Sequence, residues 1–246
     1  MKHRPILVTF TIVVVLACEA CSSSPGIHRP ESAVVPPSEI VDFSTLYGQN
    51  CAGCHGPGGK GGAAIALANP VYLAIANDNV IRRIASNGVS GTPMPAFAQS
   101  AGGMLTEKQI DALVSGIRSW TKSNTLGDAT PPPYTATVPG DPQRGVAAYR
   151  TYCSSCHGAD GHGGSKASSI VNGSYLALVS DQYLRTIVIT GRPELSAPDW
   201  RGDVEGHPMS DEDIADVVAW LSGQRSKFPG QPYQLSSMKP SQGGSR

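Results

Sequence analysis

Apolar residues recur at three- and four-residue intervals late in each half of the chain. Ile110, Leu113, Val114 and Ile117 form one stripe, and Ile214, Val217, Val218 and Leu221 form a second with the same spacing. That period turns one face of a helix toward a core. Each stripe follows a hydroxyl residue with a polar acceptor three positions on, Thr106 with Gln109 and Ser210 with Asp213. This is the arrangement that caps a helix N-terminus. Upstream, Val80, Ile81 and Ile84 predict a helix over 78–85, with a partner over about 181–189. A further short helix is expected before Cys51 and before Cys153. The run Thr186–Thr190 (TIVIT) has strand propensity, but its counterpart RIASN (83–87) has none, so a helix is expected there as well.

The patterns pair because the chain is duplicated. Asn69, Tyr72, Leu73, Ala74, Asp78, Arg82, Ile84 and Gly88 meet Asn172, Tyr175, Leu176, Ala177, Asp181, Arg185, Ile187 and Gly191 at an offset of 103 residues. Tyr47 and Tyr149 each stand four residues before a cysteine motif. The period is a whole domain, so this is a tandem pair and not a solenoid. The copies are expected over 39–124 and 141–225. Residues 125–140 read as a Pro-rich extended linker that lets one copy swing, and 226–246 as a polar, disordered tail.

Composition sharpens this picture. The 246 residues include 28 Gly and 20 Pro, with only 15% charged and 6% aromatic residues. Two small domains so poor in large side chains need a staple to hold together. Net charge is zero, so no attraction to nucleic acid is indicated. Acidic residues cluster late, at Asp199, Asp203, Glu205, Asp211, Glu212, Asp213 and Asp216. They read as a solvated face plus acids at a helix N-terminus. The basic start MKHR and the apolar run to Ala17 are too short to span a membrane comfortably and read as a signal over 1–21. Val-Leu-Ala-Cys18 resembles a bacterial lipobox, with Cys21 as the alternative, and 22–38 reads as a flexible tether. The expected location is the periplasmic face of a bacterial membrane, reached through a lipid anchor.

The four remaining cysteines form Cys51-Ala-Gly-Cys54-His55 and Cys153-Ser-Ser-Cys156-His157. C-x-x-C-H is the pattern of covalent haem c attachment. Two thiols one helical turn apart reach the two vinyl groups, and the adjacent histidine faces the iron. Three other uses of paired cysteines compete. A thioredoxin-like motif wants a βαβ context, a zinc knuckle does not require both histidines, and exported proteins favour disulfides.

With these residues in view, each copy resembles a class I c-type cytochrome domain. The resemblance implies an all-α fold of two tandem class I cytochrome c domains, each a few short helices around a covalent haem, so two haem c groups in all. It implies His55 and Met94, in TPMPAF, as axial ligands of the first iron. Met104 is the alternative sulfur and is expected to pack. His157 is the proximal ligand of the second iron. At the register of Met94 stands Ala197, which cannot ligate. Met209 remains as the candidate for the second distal ligand, although alignment sets it at the place of Leu105, where a packing residue belongs. His207 and, more remotely, His162 are alternatives, as is an open iron. The loop GRPELSAPDWRGD is also similar to that of the monohaem lipoprotein subunit of alternative complex III. Arg82, Arg83 and Arg185 are candidates for haem propionates or solvated charges, and Trp120, Trp200 and Trp220 read as packing residues.

The function implied is single-electron transfer between a quinol-oxidising complex and a terminal oxidase or other acceptor. The alternative is a dihaem redox enzyme, peroxidase-like or oxidising sulfur compounds, with His162 or His207 and Arg192 or Arg201 near an open second iron. A structural subunit of a larger complex is a third reading.

Overall fold

Each copy begins with a capped helix. In the computed structural model, which describes residues 34–122, 126–202, 204 and 206–228, the Asp42 carboxylate accepts from the Thr45 amide at 2.7 Å and starts α1 (Phe43–Asn50). The predicted signal, Cys18, Cys21 and most of the tether and tail lie outside the described residues. The chain divides into residues 1–39 and 40–246, and both copies fall in the second unit. The first copy continues through α2 (Ala52–His55), α3 (Pro70–Ile75), α4 (Asp78–Asn87) and α5 (Glu107–Arg118). The second repeats the order as α6 (Pro142–Tyr152), α7 (Ser154–His157), α8 (Gly173–Leu176), α9 (Asp181–Thr190) and α10 (Asp211–Ser222). Among the described residues only isolated bridges represent β-structure, so the fold is all-α as expected, and TIVIT is helical.

Both capping boxes form, at Thr106–Gln109 and at Ser210–Asp213. The α5 and α10 stripes are buried throughout. The short helices α3 and α8 lack the length for a periodicity signal. Their signal is Asn69 and Asn172, whose side chains accept from amides of the first turn, with Pro70 at the first helical position of α3.

The first and last helices of each copy cross, and the two copies solve the crossing in opposite ways. In the first, Phe43 of α1 lies over Gly116 of α5, where an added Cβ would meet the ring at 2.0 Å. In the second, the small residue is Gly145 on α6 and the large one Trp220 on α10, whose Cβ would be 2.7 Å from a Gly145 Cβ. Trp120 packs edge-on against Phe43 and Tyr47, and Trp220 lies tilted against Tyr149 with centroids 4.5 Å apart. Together with Trp200, 3% exposed, these tryptophans pack as expected.

The copies touch. Val71 of α3 belongs to the second copy's core, and the buried Asn69 Nδ2 donates to Thr190 O at 3.1 Å. The linker, expected to swing, is bonded on both sides. Tyr134 packs on the first copy's core, while its carbonyl accepts from Gln182 and Arg185.

Of the two readings of Arg185, the solvated charge is corrected. The residue is 3% exposed and neither solvated nor at the surface. It donates to Pro133 O and Tyr134 O and pairs with Asp211. Thr137 also donates to Asp211 through its amide and hydroxyl. Burial alone would raise the Asp211 pKa, but these donors hold it below the ordinary carboxylate value. Asp216 also leaves the expected solvated face: it is 3% exposed and receives Arg144 and the Asp141 amide. Asp203 and Glu205 lie outside the described residues. Arg82 pairs with Asp111 in a partly exposed position, and Arg83 is exposed. Met104, expected to pack, is 83% exposed.

Candidate functional site

The two cysteine motifs are built alike. α1 and α6 each deliver a tyrosine whose hydroxyl donates to the glycine carbonyl after the histidine. Tyr47 donates to Gly56 O at 2.8 Å, and Tyr149 donates to Gly158 O. Each motif is itself one helical turn, α2 or α7, which brings its two thiols to one side. All four cysteines are unpaired. Burial, reinforced by the partner thiol, pushes Cys51 and Cys153 each up to about 11. A thioredoxin-like redox pair wants a stabilised thiolate, which this environment does not provide. The two motifs also do not converge on one metal site, since no three His, Cys, Asp or Glu side chains cluster among the described residues.

The histidines are oriented by backbone. His55 Nδ1 lies 2.7 Å from Ile65 O, and His157 Nδ1 lies 2.8 Å from Ser168 O. A carbonyl only accepts, so Nδ1 carries the proton and Nε2 keeps its lone pair for a metal. Burial lowers the His55 pKa, against the opposing pull of the carbonyl, and keeps the ring neutral. Two thiols on one turn beside a histidine whose Nδ1 is bonded to backbone and whose Nε2 is left for iron are the donor set that haem c takes, and the residues fit it in both copies.

The surrounding loops differ in tightness. In the first copy Ala64 N returns to Cys54 O at 2.9 Å. Gly62 lies so close to the motif that an added Cβ would meet Cys54 O at 2.2 Å and His55 C at 2.5 Å. The matching approach at Gly164 is looser, 2.9 Å from Cys156 O. His55 is buried and His157 half-buried. The carbonyls of Ile65 and Ser168 were not marked in the sequence; the Gly-rich stretch after each motif was the only signal.

The opposite loops hold the expected register. Val89 N donates to Met94 O, and Arg192 N to Ala197 O, both at 3.0 Å. Gly88 and Gly191 have φ near +65° and +63°, and a Cβ on either would strike backbone of the facing turn, at 2.6 and 2.4 Å. Ala197 therefore stands where Met94 stands. Leu105 N donates to Phe97 O, and Met209 N to Trp200 O. Leu105 and Met209 are both 6% exposed, so Met209 occupies the packing place of Leu105. His207 and His162 are exposed. Arg201 pairs with Asp199 and stacks on Trp200, and Arg192 pairs with Glu194. No helix among the described residues is long and apolar enough to cross a membrane.

The chain is 29% identical over 130 residues to the cbb3-type cytochrome c oxidase subunit CcoP of Azospirillum sp. (strain B510), covering 48% of this chain and 39% of that protein. It is 28% identical over 134 residues to the cbb3-type cytochrome c oxidase subunit FixP of Sinorhizobium medicae (strain WSM419), covering 49% and 39%. The chain thus spans less than half the length of either relative. A chain of the Kuenenia stuttgartiensis reducing HAO-like protein complex Kustc0457/Kustc0458 superposes over 78% of this chain and 100% of that one, with a TM-score of 0.42 and 19% identity. A family profile, "Cytochrome C oxidase, cbb3-type, subunit III", matches residues 39–115 and again 140–221. The chain therefore belongs to this cytochrome c family and carries haem c as its cofactor.

Proposed function

We propose that the chain is a dihaem electron carrier or electron-transfer subunit, with no substrate chemistry of its own. Cys51 and Cys54 hold one haem c by thioethers, with His55 and Met94 on its iron. Cys153 and Cys156 hold the other, with His157 on the proximal side. Bound haem c supplies a single-electron couple between ferric and ferrous iron. The protein fixes each proximal imidazole in rotation, with Nδ1–H on Ile65 O or Ser168 O. In the first copy Pro93 and Pro95 stiffen the loop carrying the Met94 sulfur. A neutral thioether favours the reduced iron, so the first couple is the higher one. The observation that carries this reading is the duplicated Nδ1–carbonyl bond beside an unpaired C-x-x-C. The test is a pyridine haemochrome assay on the exported protein, in which two covalent haems per chain are expected and none would overturn the reading.

The donor in this proposal is a quinol-oxidising complex, motivated by the likeness of residues 191–203 to the subunit of alternative complex III. The acceptor is a terminal oxidase or another redox protein; the curated relatives are named as cbb3-type oxidase subunits. The chain is exported and held at the periplasmic face of the membrane by a lipid on Cys18, or on Cys21. Cys18→Ser should release it to the soluble periplasmic fraction, whereas release only on Cys21→Ser would move the anchor.

Ala197 favours a second reading, a redox enzyme with an open second iron. Met209 in the packing place of Leu105 supports an unfilled sixth position, and His207 remains an alternative ligand. Low-temperature EPR with magnetic circular dichroism on the oxidised protein separates high-spin iron from His/Met and His/His ligation at each haem. Peroxide turnover together with a high-spin second haem would favour the enzyme; two inert low-spin haems would remove it.

A further inference from the structure

The side chain of Arg192 leaves its own copy. Its Nη2 donates to Gly62 O of the first copy at 2.8 Å, and its side chain is 17% exposed. Gly62 is no ordinary loop residue, because its Cα faces the backbone of Cys54, His55 and Gly56 with no room for a Cβ. Two residues on, Ala64 N is bonded to Cys54 O, and three residues on, Ile65 O accepts from His55 Nδ1. Arg192 therefore grips the loop that sets the rotation of the first proximal histidine.

The other end of Arg192 is fixed as well. Its backbone exchanges both hydrogen bonds with Ala197, N to O at 3.0 Å and O from N at 3.1 Å. Ala197 stands at the register of Met94. The counterpart of Arg192 in the first copy is Val89, which makes the same backbone bond to Met94 O but has no side-chain donor. The neighbouring Thr190 O is held by Asn69 of the first copy at 3.1 Å, and Tyr183 OH reaches Ala63 O at 3.5 Å. Among these contacts, Arg192 is the one that joins the distal loop of the second site to the loop at Gly62 packed against the first motif.

We propose that Arg192 is a positioning residue that couples the two haem sites, transmitting a change at the distal loop of the second to the hydrogen bond on the proximal histidine of the first. The inference rests on the dihaem reading above. A bond from Nδ1–H to a carbonyl raises the basicity of the ligating nitrogen and favours ferric iron. Loosening the 62–65 loop weakens that bond and favours ferrous iron. The arginine charge also acts on the potential, so the test removes charge and hydrogen bond separately.

The test uses the full dihaem protein with Arg192→Gln, Arg192→Leu and Arg192→Lys. Gln and Leu both lack the charge, but only Gln keeps an N–H that can reach Gly62 O; Lys keeps charge and donor. The haem count is taken first and should be two in every variant. In Arg192→Leu the potential of the first haem should lie above that of Arg192→Gln. Its ferric low-spin EPR signal should broaden or shift, and the Ala64 amide should exchange faster with solvent. Arg192→Lys should restore all three toward wild type. Ala197→Met, which alters the distal loop of the second site, should perturb the first haem's ferric signal when Arg192 is present and not in the Arg192→Leu background. Equal first-haem potentials, signals and Ala64 exchange in the Leu and Gln variants would overturn the coupling. A chain without two covalent haems would overturn the dihaem reading beneath it, and that result is visible before any titration.

Discussion

The turn at 88–97 and the turn at 191–200 start and finish on the same backbone bonds, yet they carry different chemistry. Both open on a glycine at positive φ that closes against the facing turn. Between those anchors the first copy reads TPMPAF and the second ELSAPDW. The routes diverge as well. Pro93, whose ring fixes φ near –65°, is replaced by Ser196 at φ 61°, the one non-glycine at positive φ among the described residues. In the first copy the backbone is stiff and the sulfur is presented. In the second the backbone is strained, the sulfur is gone, and the preceding residue, Arg192, reaches out of the copy. A duplication can thus keep the anchoring bonds of a scaffold and still change what the scaffold presents.

The comparison breaks most completely at the cysteines. Cys153→Ala with Cys156→Ala should reduce covalent haem from two to one per chain, and Cys51→Ala with Cys54→Ala should do the same. Haemochrome absorbance per protein reads this directly. Since each apolar core is small, the copy without haem should also lose protection from proteolysis.

The next contrast is between two arginines at equivalent positions. Arg185 is buried with Asp211 and two linker carbonyls, whereas Arg82 meets Asp111 at the surface. Asp211→Asn leaves a buried guanidinium without its counter-charge and should cost about 3 kcal/mol in the second copy. Asp111→Asn should cost under about 1 kcal/mol. The Asp211 pKa is depressed in the fold. Its contribution is therefore present above its unfolded value and is lost as pH falls through that value toward the lower folded one. Acid should weaken the hold of Asp211 on the linker in the wild type, and this acid loss should be absent in Asp211→Asn. Chemical denaturation at neutral and at acid pH checks both.

How much of this the sequence carried depends on the range of each interaction. The stripes, the caps at Thr106 and Ser210, the motifs and the Met94–Ala197 register rest on residues close in sequence or on repetition, and all were legible. The axial ligand set followed from the family likeness alone. The burial of Arg185 was not legible, because the same residue at Arg82 stays near the surface; the difference lies in linker carbonyls some fifty residues away. The exchange of Phe43/Gly116 for Gly145/Trp220 was hidden for the same reason, since neither glycine explains itself until its partner helix is in place. Arg192 is the extreme case, pairing across 130 residues. Met104 misled because a sulfur beside a helix start resembles a packing residue, and only the fold shows it pointing outward.

Exchanging the two loops' side chains tests the ligand assignment. Met94→Ala should remove the His/Met signature of the first haem in magnetic circular dichroism and lower its potential. Ala197→Met should create that signature at the second haem and raise its potential. Because Ser196 replaces Pro93, the introduced sulfur sits on a more mobile support, and its signature should be lost at a lower temperature than that of Met94.

The smallest effect is expected at Met209. Leucine has nearly the same volume, and the equivalent place in the first copy is filled by Leu105 with the same exposure and the same backbone bond to the residue at 97 or 200. Met209→Leu should therefore cost less than about 1.5 kcal/mol and leave the second haem's spectrum and potential unchanged. The unchanged spectrum would make the second sixth position independent of sulfur. A lost low-spin signal would instead mean that holo-protein packing draws Met209 onto the iron. The two copies would then both be methionine-ligated, from opposite ends of the same loop, and the contrast at Ala197 would be one of route and not of ligand.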